Sequence, residues 1–465
     1  MSGKKLLKQW ARYASKLVMV LSLSLFTALC ANVSIVASAH AQTKPANEST
    51  IRIASWNLGW HVAQAELPAW LAQCAKSYQR SAEGLWQLSK EPQAIVGWTV
   101  GESRARIEGV DLSVMPPCNV YQTTRREGIA ITDTAWRKRN EQIAKTIQSQ
   151  IQPDVIAFQE VSGVAAVREA LGDWADQYQI CSFDGRFKLQ RLAFAWKKTF
   201  GPSVQACATV DAIALAGASK TGQLRPGYTV TLRINQKTVR LLNLHLKSSC
   251  VSPADLKVDD NPSGKATKKS RKGTLDDPSS EHCRALQQQI APLEASIESL
   301  SKGVDYFIVL GDFNRNLWHE ANEIAGAQAV RSDGSRDLTK PLGDLLTRNL
   351  FKEINDGEPA ASKLTLIELQ CVGDARLSAI CKRAKTSALS ATEQKVLTSQ
   401  AGLGCRNAIG LDHFLVSDSL APLVVDAQKI PIGLFGQSRA ASEFRSDPLL
   451  AISDHCPIVM TVQLK

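Results

Sequence analysis

The chain has 465 residues, of which 44% are hydrophobic and 21% are charged. This composition is typical of a globular protein and excludes a disordered or membrane-embedded chain. The formal net charge of +11 favours a polyanionic partner such as nucleic acid or anionic lipid, although exported proteins are often basic without one.

The first 41 residues have the pattern of an export signal. Basic side chains precede an apolar run from Leu17 to about Ala31, and Ala39-His40-Ala41 follows as a small-residue cleavage site. Cleavage after Ala41 would remove five positive charges and leave a formal +6 on residues 42–465. The apolar run is long for a signal peptide, so an uncleaved anchor is the alternative. Export predicts a periplasmic or extracellular protein.

Ten of the eleven cysteines lie beyond this signal. An even number of cysteines in an exported chain favours disulfides over metal-binding thiols. The sequence has no Cys-x-x-Cys pair, which argues against a zinc or redox motif. Their places along the chain suggest two bonds, Cys250 with Cys283 and Cys181 with Cys207.

Apolar strands that end in polar residues recur along the chain. The first runs over residues 51–57, and a helix over 133–151 leads into the second at 154–160. Further strands are predicted at 192–196, 228–234, 239–246, 306–310, 414–416 and 457–462, with a helix over 282–300. The loose alternation of strands and helices predicts an α/β or α+β fold in which two sheets are flanked by helices.

Three stretches fall outside this alternation. Residues 61–132 are too long for an ordinary connection and are predicted to form an inserted subdomain. Residues 360–406 are a second predicted insertion, helical in character and containing three cysteines. Residues 259–280 are rich in lysine, serine and glycine, and their charges either contact phosphates or are simply solvated.

The strand ends carry residues suited to metal and phosphate chemistry. Each alone is more often a cap or a turn residue, but loops at strand ends converge where ligands bind. The set comprises Asn57, Glu160, His245, Asp312, Asn314, Asp412, Asp454 and His455.

Phosphodiester hydrolysis explains why these residue types would meet. Mg²⁺ prefers one or two carboxylates and several waters, which fits Glu160 and Asp454 with Asn57 nearby. Either Asp312 or His455 would take the proton from an attacking water, and His245 would protonate the leaving oxygen. Asp412 would fix the tautomer of His455.

These segments, in this order, resemble the endonuclease/exonuclease/phosphatase superfamily. The most specific motifs are Gly311-Asp312-Phe313-Asn314 and Ser453-Asp454-His455-Cys456-Pro457, and the resemblance extends from Ile51 to the C-terminus. It implies a four-layer α/β sandwich of two packed mixed sheets flanked by helices, here with two insertions, and a need for Mg²⁺ or Mn²⁺.

The resemblance also implies roles for individual residues. Asn57, Glu160 and Asp454 match metal and phosphate positions, and His245 and His455 match the catalytic histidines. Asp312 and Asn314 match a phosphate-facing pair, and Asp412 matches the partner of His455. More loosely, Arg191 resembles a phosphate-contacting residue, and Asp184 is a candidate to orient His245.

The resulting hypothesis is an exported, metal-dependent phosphodiesterase that hydrolyses nucleic acid, DNA more than RNA. A monomer without a stable membrane partner is assumed. One alternative is a phospholipase or sphingomyelinase, which would need an exposed apolar hairpin for membrane docking. Another is a binding protein that has kept the fold and lost the chemistry, which the intact residue set disfavours.

Overall fold

The computed structural model describes residues 50–102, 105–121, 128–185, 189–215, 224–250, 281–322, 328–330, 336–341, 349–386, 391–406, 410–436 and 448–464. The predicted export signal and the lysine-rich segment 259–280 lie outside these ranges. Within them, no helix has the length and apolar character needed to cross a bilayer. Residues 49–465 group by their contacts into one compact unit.

Strands and helices alternate along the described chain. The strands are β1 (Thr50–His61), β2 (Ser77–Arg80), β3 (Leu85–Leu88), β4 (Ile95–Val96), β5 (Arg106–Ile107), β6 (Val155–Val161), β7 (Tyr178–Ser182), β8 (Arg191–Lys197), β9 (Gln205–Val210), β10 (Gly227–Ile234), β11 (Lys237–His245), β12 (Tyr306–Asp312), β13 (Gln328–Val330), β14 (Arg336–Pro341), β15 (Leu364–Leu366), β16 (Gln370–Cys371), β17 (Asp412–Ser417), β18 (Val424–Lys429) and β19 (Ile458–Gln463). The helices are α1 (Leu67–Cys74), α2 (Asp133–Thr146), α3 (Val164–Leu171), α4 (Glu281–Leu300), α5 (Leu317–Ala321), α6 (Leu350–Glu353), α7 (Ala375–Ala384) and α8 (Ala391–Thr398).

Two mixed sheets form the centre of the molecule. The larger has the strand order β16-β18-β19-β1-β6-β8-β7, and the smaller has the order β15-β17-β12-β11-β10-β9. The pairs β1–β6, β11–β12 and β16–β18 are parallel, and the other neighbours in these sheets are antiparallel. Every strand predicted from the sequence is present, with its ends shifted by a few residues.

Apolar side chains fill three interfaces and so define four layers. Ile53 and Phe194 of the larger sheet share one core with Leu232 and Phe414 of the smaller sheet. The outer face of the larger sheet packs against α2, α3 and α7, and the outer face of the smaller sheet packs against α4, α5 and α6. This is the predicted four-layer α/β sandwich, since an apolar face on each side of a sheet needs a covering layer.

The first insertion has a small sheet of its own and shares a buried core with α2. It contains α1 and a four-stranded sheet of order β4-β2-β3-β5. Trp70 lies against both Trp98 and Trp136 in a buried aromatic cluster, and a disulfide joins Cys74 to Cys118. This core accounts for most of the tryptophans in the segment.

The second insertion is only partly helical. Helices α7 and α8 match the prediction, but the segment begins with β15, which extends the smaller sheet, and β16, which extends the larger one. Strands of three and two residues are too short to leave an alternating pattern in the sequence, so their pairing could not be read there.

Five disulfides join all ten cysteines beyond the predicted signal. The two suggested pairings, Cys181–Cys207 and Cys250–Cys283, are confirmed. The others are Cys74–Cys118, Cys371–Cys381 and Cys405–Cys456. Five such bonds indicate folding in an oxidising compartment.

Candidate active site

Strand register brings three polar strand ends side by side. His245 at the end of β11 pairs with Asp312 at the end of β12, and Asp312 pairs in turn with Asp412 at the start of β17. In the facing sheet, Asn57 of β1 pairs with Gln159 of β6. The distant sequence motifs therefore meet at one edge of the sandwich.

A glycine allows the close approach of β12 to β11. Gly311 has a φ of +127°, and a Cβ there would lie 2.2 Å from the carbonyl oxygen of Leu244. A larger residue would push the strands apart just before Asp312. Beyond it, Phe313 is fully buried, and Asn314 donates to the Asp312 carboxylate from its backbone N–H at 2.7 Å and its Nδ2 at 3.2 Å.

A bulge directs Glu160 toward the site. Gln159 lies between the sheets, where its Nε2 donates to Asn243 Oδ1 at 2.7 Å. Glu160 has a φ of +55°, and the register of β6 against β8 shifts between Phe158 and Val161. Bulges of this kind re-aim a side chain out of the normal alternation. The Glu160 carboxylate accepts from the backbone N–H of Trp60 at 3.0 Å.

Asn57 holds two carboxylates in place. Its Nδ2 donates to Asp312 Oδ2 at 3.0 Å and to Glu160 Oε1 at 3.4 Å, while its Oδ1 accepts from the N–H of Gly59 at 3.0 Å. The Gly59 contact fixes which amide atom is oxygen. The amide nitrogen thus faces the site, which differs from the metal-ligand role predicted for Asn57.

His245 lies between the two acids. Its Nε2 is 3.6 Å from both Glu160 Oε1 and Asp312 Oδ2. Burial, the Arg225 guanidinium and His455 together hold the pKa of His245 well below its usual range, so the ring is neutral. Arg225, which the sequence did not single out, donates to the carbonyl of His245 at 2.9 Å.

The second histidine is held by a buried ion pair. His455 Nδ1 lies 3.1 Å from Asp412 Oδ2, and its Nε2 lies 3.8 Å from Asp312 Oδ2. Burial disfavours the charged ring, but the carboxylates of Asp412 and Asp312 outweigh it and raise the pKa of His455 to about 10. The buried ammonium of Lys429 lies 3.7 Å from the same Asp412 oxygen.

Asp312 is therefore at the centre of the site and titrates near neutrality. Burial raises its pKa to about 7, with the charge of Asp412 adding to the rise and His455 opposing it. A carboxyl with this pKa can exchange a proton with water at physiological pH. The position suits a general base.

Glu160 and Asp454 face one cavity of about 830 Å³. Burial and then the Asp454 charge raise the pKa of Glu160. For Asp454, burial is outweighed by His455 and Arg406, which lower its pKa. Both carboxylates present oxygens to the cavity and repel each other across it. A hard divalent cation prefers such oxygen ligands and would relieve the repulsion.

A second buried group could also hold a metal ion. Ligand atoms of Asp312, Asp412 and His455 all lie within 4.8 Å of one another. However, Asp412 already contacts His455 and Lys429, so a cation there would compete with two positive groups. The donor chemistry favours the Glu160 and Asp454 side of the site.

Comparison with known proteins identifies the family. The sequence pattern of the Endonuclease/Exonuclease/phosphatase family matches residues 119–455, a span that contains seven of the eight strand-end residues. The chain belongs to this family. Among curated proteins, no sequence match was found.

Several solved structures are similar to this chain at low sequence identity. A mannosyl-6-phosphatase from Bacteroides thetaiotaomicron is 13% identical (TM-score 0.36; 70% of this chain and 90% of that chain covered). An AP endonuclease from Leishmania major is 12% identical (TM-score 0.36; 90% and 88%), and the human nocturnin catalytic domain is 14% identical (TM-score 0.34; 74% and 92%). Membership of the endonuclease/exonuclease/phosphatase family makes the protein a phosphoesterase and leaves its substrate open.

The two more loosely predicted residues, Arg191 and Asp184, do not line the cavity. Arg191 donates to Asp184 at 3.3 Å and to the carbonyl of Ser162 at 3.1 Å, and the cavity is lined by its neighbour Gln190 instead. Asp184 accordingly pairs with Arg191, so it does not orient His245. Within the described residues, no group bonds to His245 Nδ1.

Four histidines of the described chain lie outside the set of strand-end residues. His61, His319 and His413 are buried and bonded to surrounding backbone or side chains. His282 differs, because it lies on the cavity wall. Trp60 also lines the cavity and is only partly buried.

Proposed function

We propose that this chain is a metal-dependent phosphodiesterase that hydrolyses nucleic acid, preferentially DNA, in the periplasm or outside the cell. The observation that carries the proposal is the convergence of Glu160, Asp454, Asp312, His245 and His455 on one cavity. The five disulfides support export to an oxidising compartment.

Glu160 and Asp454 would hold the cation, Mg²⁺ or Mn²⁺. A hard divalent ion there would neutralise charge that develops on the phosphate oxygens. These two carboxylates suit a cation because they repel each other when no cation lies between them. The raised pKa of Glu160 shows this repulsion, since the Asp454 charge is its second cause after burial. Asn57 contributes by holding Glu160 and Asp312 with its amide nitrogen.

Asp312 is assigned as the general base. Its pKa of about 7 allows it to accept a proton from the attacking water at neutral pH. Asn57 and Asn314 donate to its carboxylate and set the direction of the remaining lone pairs. Of the two bases considered from the sequence, Asp312 is favoured because His455 is already protonated.

The two histidines then have different tasks. His455, charged and fixed through Nδ1 by Asp412, would donate from Nε2 to a phosphate oxygen and stabilise the added charge. His245 is neutral in the free site. The negative phosphate would favour its protonation, after which it can give that proton to the leaving oxygen.

Positive charge favours a polyanion such as nucleic acid over a zwitterionic lipid such as sphingomyelin. The part of the chain beyond the predicted signal carries a formal +6, and the cavity is lined by Lys247, Arg225 and Arg406. The alternative of a lipid phosphodiester has one observation in its favour. Leu112 lines the cavity and is 43% exposed, and Val114 nearby is 47% exposed.

A substrate panel tests the proposal. Purified protein is offered plasmid DNA, RNA, sphingomyelin and bis(p-nitrophenyl) phosphate, each with Mg²⁺, Mn²⁺ or EDTA, and Glu160→Gln serves as the inactive control. Metal-dependent cutting of DNA that is lost in Glu160→Gln is expected. If only sphingomyelin is hydrolysed, the substrate is a lipid and not nucleic acid. If none of the four substrates is hydrolysed, a non-catalytic binding protein is favoured.

A further inference from the structure

Arg406 lies at the wall of the catalytic cavity, at the end of the second insertion. Its guanidinium donates to Asp454 Oδ2 at 2.7 Å. The Arg406 side chain is 61% exposed, whereas that of Asp454 is 18% exposed. Arg406 therefore approaches the site from solvent and touches it through one carboxylate.

Two other arginines that line the cavity donate hydrogen bonds to backbone carbonyls. Arg139 is 1% exposed and donates to the carbonyls of Leu58, Ala451 and Ile452. Arg225 donates to the carbonyls of His245 and Leu246. Turning either of these guanidiniums toward a ligand would leave buried carbonyls without a donor, which is costly.

The backbone before Arg406 is fixed beside the catalytic loop. The Cys405–Cys456 disulfide joins it to the residue that follows His455, with 5.4 Å between the two Cα atoms. Gly404 has a φ of +82°, and a Cβ there would lie 2.3 Å from the carbonyl oxygen of Gly433. The carbonyl of Leu403 accepts from the N–H of Ile432 at 2.8 Å. The base of the side chain is thus held while its end remains in solvent.

We propose that Arg406 binds the phosphate of the substrate, an inference that rests on the proposed phosphodiesterase function. A divalent cation at Asp454 would compete with the guanidinium for the same carboxylate. Once displaced from Asp454, the residue that precedes His455, the planar fork of Arg406 can match two phosphate oxygens at once. Arg406 thereby contributes binding of the phosphodiester and takes no part in proton transfer.

Kinetics of Arg406→Ala and Arg406→Lys test this role, with bis(p-nitrophenyl) phosphate as the substrate at saturating Mg²⁺. Arg406→Ala should raise KM roughly tenfold or more and change kcat little, because a charge-assisted bond to phosphate is lost. Arg406→Lys should lie between Arg406→Ala and wild type, because lysine keeps the charge and loses the fork. The affinity for inorganic phosphate, measured by isothermal titration calorimetry, should weaken in the same order.

Arg168→Ala is the matched control. Arg168 forms an exposed ion pair with Asp176 at 2.6 Å and does not line the cavity, so its loss should leave KM and phosphate affinity unchanged. The proposal is overturned if Arg406→Ala keeps KM and phosphate affinity within about twofold of wild type. The proposal is also overturned if KM falls in Arg406→Ala, because the guanidinium would then only block the Asp454 carboxylate.

The two proposals can fail separately. If the diester and inorganic phosphate respond as expected while DNA and RNA are not cut, the nucleic-acid assignment fails and the role of Arg406 stands. If DNA is cut and Arg406→Ala changes neither KM nor phosphate affinity, the role of Arg406 fails alone. If the diester is not turned over, the phosphate titration decides.

Discussion

At the scale of single residues, the Asp412–His455 pair is the sharpest test of the site. Replacing Asp412 by Asn removes the charge that faces His455 Nδ1 and should lower kcat by roughly 10²–10⁴-fold, because the charged ring is no longer stabilised. Asp418→Asn, at an exposed position just beyond the same strand, should leave kcat unchanged. Wild-type turnover in a folded Asp412→Asn variant would remove His455 from the mechanism.

The same substitution changes the dependence of stability on alkaline pH. The pKa of His455 is raised from 6.5 to about 10 in the folded chain, where Asp412 and Asp312 outweigh the effect of burial. Its stabilising contribution is therefore complete below pH 6.5 and is lost as pH rises toward 10. Urea unfolding of the wild type should lose free energy over this window, and Asp412→Asn should lose less. Parallel curves for the two proteins would contradict the prediction.

The sequence identified the site residues that belong to strand-end motifs. It did not identify the site residues that lie outside any motif. Asp312 and Asp454 stand in short, ordered patterns that a reader of the sequence can recognise. Arg225 and Arg406 are single arginines in connections, where no periodicity or spacing marks them. Glu160 was found, but the left-handed backbone that aims it could not be inferred, since glutamate has no preference for that conformation.

At the scale of elements, the Cys250–Cys283 bond ties the segment that follows β11 to the first turn of α4. Its sequence separation is 33 residues, against 10 for Cys371–Cys381. In the chain-entropy account, the longer loop should stabilise by about 1 kcal/mol more than the shorter one. Urea unfolding of the two double Cys→Ser variants measures the difference. A larger loss in Cys371→Ser/Cys381→Ser would contradict the expected order.

The elements found from sequence were those long enough to show a period. Helix α4 buries Leu286, Ile290, Leu293 and Ile297, one turn apart along one face. Strand β18 has a mixed burial pattern, and α3 has only eight residues, so neither was predicted. Edge strands such as β15 form because a neighbouring strand offers hydrogen bonds. The sequence of the segment itself does not show that neighbour.

At the scale of the whole molecule, buried polar groups outside the catalytic set connect the layers. His61 Nδ1 accepts from Arg139 at 2.8 Å, which leaves Nε2 to donate to the carbonyl of Ala166 at 3.1 Å. This bonding requires a neutral ring. His319 and His413 are buried similarly in a different part of the fold. The partners of His61 lie on two other elements, α2 and α3, so the sequence alone could not show them.

These neutral rings predict loss of stability in acid. Burial lowers the pKa of His61 and His319 to about 3 and that of His413 to about 4, with nearby cations adding to the effect, from an ordinary value of 6.5. Below pH 6.5 these histidines bind protons in the unfolded chain but stay neutral in the folded chain. Each ring should therefore cost about 1.4 kcal/mol of unfolding free energy per pH unit until its folded pKa is reached.

A single variant isolates one of these rings. His61→Gln cannot be protonated, so its unfolding free energy should fall less steeply than that of the wild type between about pH 6.5 and about pH 4.5. Taking the difference between the two proteins cancels the contributions of Glu160 and Asp312, whose raised pKa values act in the opposite direction as pH falls. Urea unfolding at several pH values measures it. Equal slopes would mean that His61 is protonated in the folded chain, against the hydrogen bond that it accepts from Arg139.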